Sequence, residues 1–156
     1  MSPTGKVPVV VVDGDPLHES NVVNEYLDEI LDGPHLLPED AKERARARMW
    51  MLSEDSNFYP AVFVASVGRE RGFPEERVSE AREELKATLA RLEERLGGGH
   101  EYLAGGGFSL ADVAHAGNFV RLRQLEEEGA LALSDYSNVA AWVGRIEARN
   151  SFRAAG

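Results

Sequence analysis

Cysteine is absent from this 156-residue chain. That removes a disulfide framework, a thiolate zinc site and a cysteine nucleophile at once. Positive charge is scarce: 17 Lys and Arg face 27 Asp and Glu, for a net charge of −10. Neutralising phosphates needs a basic face, so nucleic acid is not an expected partner, nor is an anionic membrane surface. No apolar run approaches the ~18 residues a spanning helix needs, and the first residues lack a signal-peptide pattern; the expected location is cytoplasmic. Four histidines, His18, His35, His100 and His115, show no ligand spacing on one helix, and no metal site is expected. The glycine runs at Gly97–Gly99 and Gly105–Gly107 lack the Gly-Lys-Ser/Thr ending of a phosphate loop and read as connectors. No internal repeat is visible.

A composition that is 43% hydrophobic and 28% charged belongs to a globular chain rather than a disordered one. The charge is uneven. Residues 1–34 carry one basic residue, Lys6, against seven acids, so an anion bound there would have to be met by backbone N–H groups and Lys6. The run Val7-Pro8-Val9-Val10-Val11-Val12 is β-branched without alternation, the pattern of a strand wanting cover on both faces. Asp13-Gly14 predicts a hairpin turn, with a return strand over 15–18. Ser20 opens an amphipathic helix through Val22, Val23, Tyr26, Leu27, Ile30 and Leu31, stopped by Gly33-Pro34.

From Pro38 onward the pattern is helical. A long helix is expected from Pro38 toward Val67, kinked near Pro60. Pro74 starts the next, with the stripe Val78, Ala81, Leu85, Leu89, Leu92, Leu96 stepping by three and four. Ser109-Leu110-Ala111-Asp112 gives a capping-box-like start to a helix expected to reach Glu127. Ser137 is expected to cap a last helix, followed by a frayed tail after Asn150. A two-stranded hairpin is marginal alone and no segment offers a third strand. Helices, another chain or sequence upstream of Met1 must therefore supply the second cover.

Gly5-Lys6-Val7-Pro8-Val9-Val10, Asp13-Gly14, Leu17-His18-Glu19-Ser20 and Tyr26-Leu27, followed by Leu36-Leu37-Pro38 and Ser109-Leu110-Ala111-Asp112, together resemble the cytosolic glutathione S-transferase family. The resemblance implies a mostly α protein: a glutathione-transferase-like helical bundle, residues 35–156, preceded by a partial thioredoxin-like β-hairpin plus helix, residues 1–34. It implies glutathione as co-substrate, with Val7-Pro8 as a cis-proline turn presenting backbone groups to the cysteinyl part. Glu19-Ser20 would hold the γ-glutamyl group, Ser20 and the helix start meeting its carboxylate and Glu19 its ammonium. Lys6 would meet the glycyl carboxylate. Ser109 and Asp112 resemble the family's structural capping motif.

Only Met1 to Thr4 precede the matching segment, whereas the family's βαβ opening takes about 30 residues. The expectation is thus an N-terminally truncated member without the thiol-activating unit, and no catalytic residue is assigned. For Glu19-Ser20 the plainer reading is a helix cap. The long helix carries two apolar faces, Ala45, Met49, Leu52, Tyr59 and Phe63 on one and Trp50, Phe58, Val62 and Ala65 on the other; these read as core, or as a homodimer interface plus one wall of a hydrophobic-substrate pocket. The expected function is glutathione binding and conjugation to a hydrophobic electrophile. The alternatives are a non-catalytic protein-assembly module and a fragment of a longer transferase.

Overall fold

The structure is a computed structural model describing Gly5 and residues 7–155. β1 (Val9–Val12) and β2 (Asp15–His18) form an antiparallel hairpin in the register Val9↔His18 to Val12↔Asp15. Both turn residues have positive φ, Asp13 at 51° and Gly14 at 93°, as a two-residue turn matching strand twist requires. α1 (Ser20–Ile30) packs on the hairpin and on α5 (Leu110–Ala116). Among the described residues no third strand joins the sheet. The helices do not supply the missing cover either: Val11 is 63% exposed, and Val22, Ile30 and Leu31 also face outward.

α2 (Ala41–Ser53) and α3 (Tyr59–Val67) are one rod joined by a π-helical turn, Glu54–Phe58. The kink expected at Pro60 takes this form. Pro60 has no N–H and crowds the carbonyl four residues back, and the widened turn just before it closes with Tyr59 N–H donating to the Glu54 carbonyl. α4 (Glu75–Gly97) buries all six residues of its predicted stripe. The next helix does not run unbroken to Glu127: α5 ends at Ala116 and α6 (Phe119–Glu127) starts after a turn at Gly117-Asn118. Asn118 is buried there with its amide on Glu54, a tertiary demand outweighing helical periodicity.

α7 (Ser137–Glu147) is capped not by Ser137 but by Glu93 of α4, whose carboxylate accepts from Asn138 N (3.0 Å) and Val139 N (2.9 Å). Burial raises the Glu93 pKa, but these donors outweigh it and hold the group below the usual carboxylate range. The tail forms a short helix, α8 (Asn150–Ala155), with Phe152 against the Phe119 ring. The core lies wholly within the bundle, around Trp142, Phe58, Phe119, Leu89 and Leu92.

Three polar ties fix the hairpin–α1 unit on this bundle. Asp28 accepts from Leu36 N (2.6 Å) and Leu37 N (3.1 Å), clamping the linker, and Leu110 N donates to the Leu36 carbonyl. Glu25 takes the Arg48 guanidinium bidentately, at 3.0 and 2.7 Å. Asn21 Nδ2 donates to Asp55 (2.8 Å) and to the Met51 carbonyl (3.2 Å), meeting the π turn.

Candidate functional site

The hairpin register determines what lies together at its open end. Because Val9 faces His18, the chain before β1 returns beside the chain after β2, so Val7-Pro8 stands next to Glu19-Ser20. The Val7–Pro8 peptide is cis. All four residues line one cleft of about 730 Å³ between the hairpin–α1 unit and the bundle. Lys6 lies outside the described residues.

Glu19 has φ 70° and ψ 113°, a left-handed backbone that non-glycine residues adopt at a cost of order 1–3 kcal/mol. It is the residue immediately before α1, and its side chain does not cap the helix. The first N–H groups of α1 are therefore unclaimed by a capping side chain, and the Ser20 hydroxyl stands beside them at the cleft wall. Such an end favours a carboxylate. The Glu19 carboxylate lies 3.3 Å from His18 Nδ1, largely in solvent.

The facing wall comes from the π turn and the α5–α6 turn. Glu54, buried at 5% exposure, accepts from Asn118 Nδ2 at 2.8 Å. Burial pushes its pKa up to about 7; the Asn118 amide works against this and neighbouring Asp55 adds to it. Tyr59, Pro60, Val113 and Ala114 supply apolar surface, and Arg121 also lines the cleft. His18, Glu54, Asn118 and Arg121 were not legible as cleft residues. Nothing in their local spacing marks them, because they come together from β2, the π turn and α6 only in the fold.

Ser109 and Asp112 lie elsewhere, buried in the bundle. The Asp112 carboxylate accepts from Ser109 N (2.9 Å), Ser109 Oγ (2.8 Å), Leu103 N (3.0 Å) and Trp142 Nε1 (2.8 Å). Burial raises its pKa against those four donors. With every donor inside the core, the arrangement is structural. Among the described residues no group of three or more His, Asp or Glu could hold a metal ion, and no helix is long and apolar enough to cross a membrane.

A groove of about 530 Å³ also runs along the α2–α3 rod, lined by Ala45 and Met49 of its first apolar face, by Trp50 of the other, and by Lys42, Arg46, Arg91 and Arg95. Met49, Leu52 and Tyr59 are exposed, whereas Phe58, Val62 and Ala65 are core. The two faces predicted for the rod therefore have different environments.

Residues 1–29 match the glutathione S-transferase N-terminal domain model and residues 75–145 the C-terminal domain model. Glutathione S-transferase F14 of Arabidopsis thaliana is 36% identical over 96% of this chain and 62% of its own length. Glutathione S-transferase F10 of the same plant is 32% identical over 98% of this chain and 74% of its own. The crystal structure of a glutathione S-transferase from Methylobacillus flagellatus with glutathione bound superposes with a TM-score of 0.81 at 28% identity, covering 97% of this chain and 75% of that one. The chain thus spans roughly three fifths to three quarters of these relatives, and by both domain models, by identity and by fold it belongs to the glutathione S-transferase family.

Proposed function

We propose that the chain binds glutathione in the cleft between the hairpin–α1 unit and the bundle, and that a hydrophobic electrophile conjugated to its thiol occupies the apolar wall beyond. The observation that carries this is the convergence of Val7, Pro8, Glu19 and Ser20 on one cleft at an uncapped helix start. In this reading Val7 offers its backbone to the cysteinyl part, with Pro8 shaping the turn. Ser20 and the α1 N–H groups take the γ-glutamyl carboxylate, Glu19 takes the ammonium, and Lys6 meets the glycyl carboxylate. The glutathione-bound relative supports the choice of ligand. No residue is assigned to activation of the thiol.

The same proposal divides the chain into a partial thioredoxin-like segment, 1–34, and a helical domain, 35–156. It makes the protein a cytoplasmic homodimer. Support for the dimer is the exposed Met49 and Leu52 face, whose basic rim is complementary to the acidic first 34 residues.

Calorimetric titration with glutathione tests the binding. Wild type gives measurable heat, and Ser20→Ala weakens affinity roughly tenfold, because a hydrogen bond to a charged group is worth about 1.5–3 kcal/mol. Glu19→Gln weakens it as well. Absence of binding by wild type would sink the reading and favour the protein-assembly module, for which the uncovered Val11, Val22 and Ile30 surface speaks.

A further inference from the structure

Arg121 is the one Lys or Arg among the described residues lining the cleft. Its guanidinium carbon lies 5.3 Å from the Phe63 ring centroid, and Phe63 in turn packs on Tyr59 at 5.8 Å. The half-buried guanidinium is thereby laid along an aromatic ledge running into the cleft. No ion pair among the described residues includes Arg121. Each acid of the same cleft, by contrast, has a partner: Glu54 takes the Asn118 amide, Asp55 the Asn21 amide and Glu19 the His18 ring. A planar cation that is in no ion pair among the described residues, lining a cleft that also has apolar surface, is suited to bidentate recognition of a carboxylate.

Resting on the glutathione reading above, we propose that Arg121 is a specificity-determining residue for the second substrate, selecting electrophiles with a flat apolar body and a carboxylate or sulfonate at the end remote from the reacting carbon. The body lies on Tyr59, Pro60 and Val113, and the anion meets Arg121.

The test compares binding of two adducts, S-benzylglutathione and S-(4-carboxybenzyl)glutathione, by calorimetry, with glutathione itself as reference. Wild type prefers the carboxylated adduct by roughly tenfold, the size of one charge-assisted contact. In Arg121→Met, which keeps apolar bulk on Phe63, the ratio of the two affinities collapses toward one; Arg121→Lys restores part of it. Equal affinities in wild type, with glutathione and both adducts bound, overturn the assignment of Arg121 alone. An unchanged ratio in Arg121→Met does the same. If glutathione and both adducts fail to bind, the glutathione reading falls and this inference falls with it.

Discussion

The bundle and the hairpin–α1 unit are held by different forces. All the residues of the buried core cluster belong to the bundle, from Ala47 to Ile146, whereas in the first 34 residues Val23 is the one buried apolar side chain among those described. The unit leaves Val7, Val11, Val22, Ile30 and Leu31 in solvent and is tied down by the Asp28 clamp, the Glu25–Arg48 pair and the Asn21 amide. Apolar packing sets the stability of the bundle; directional polar contacts set the position of the unit, and with it the width of the cleft. The cleft thus lies at the seam between a part packed on the apolar core and a part held largely by polar ties.

The largest effect expected is on the bundle. Asp112→Ala strands four donors in the core, including Trp142 Nε1, and should cost about 3 kcal/mol or more, read as a lower urea midpoint with an unchanged slope. A loss under 1 kcal/mol would break the contrast, because polar groups would then count for little even inside the bundle.

Next comes a pH signature at the seam. Glu54 has its pKa raised in the folded state from 4.5 to about 7. Stability due to its protonated form is therefore complete below pH 4.5 and is lost as pH rises through 7. Glu54→Gln removes that dependence. Relative to wild type the variant should gain about 3 kcal/mol between pH 4.5 and 7.5, as 1.36 kcal/mol accompanies each pKa unit. His115, with its Nδ1 on the Ala111 carbonyl, titrates in the opposite sense. Burial lowers its pKa from 6.5 to about 4, so its contribution is present above 6.5 and is lost as pH falls toward 4. The two slopes oppose each other in wild type, and urea titrations across this window in both chains expose the Glu54 half. A flat difference would show that Glu54 is charged throughout.

The smallest effect sharpens the contrast. A double-mutant cycle on Glu25→Gln and Arg48→Met should give a coupling under about 1 kcal/mol, since Arg48 is half exposed. The same substitutions should nevertheless raise amide exchange in α1 while leaving α4 unchanged. Equal protection in both helices would mean that the unit is held by more than its polar ties.

Local pattern explains what the sequence disclosed. The α4 stripe, the Asp13-Gly14 turn and the start at Ser109 each depend on residues within one or two turns of chain, and each stands where periodicity and turn chemistry put it. Val7, Pro8, Glu19 and Ser20 are named together by the family resemblance, and the tight hairpin, which brings its two ends side by side, sets them along one cleft. What escaped was set over long distances. Glu93 caps α7 from 45 residues away, Asn118 breaks a helix to reach Glu54, and Arg121 enters the cleft from α6. No window of neighbouring residues holds those partners.

The outer edge of β1 also has a colloidal consequence. Four consecutive valine backbones with β2 on one side and, among the described residues, no strand on the other are a template for pairing between molecules. Near neutral pH the seven acids of the first 34 residues repel an approaching copy. As pH falls toward the isoelectric point of about 4.9, that repulsion fades while the valines stay as sticky as before. Solubility should pass through a sharp minimum there, relieved by Val11→Lys, which restores charge on the strand itself.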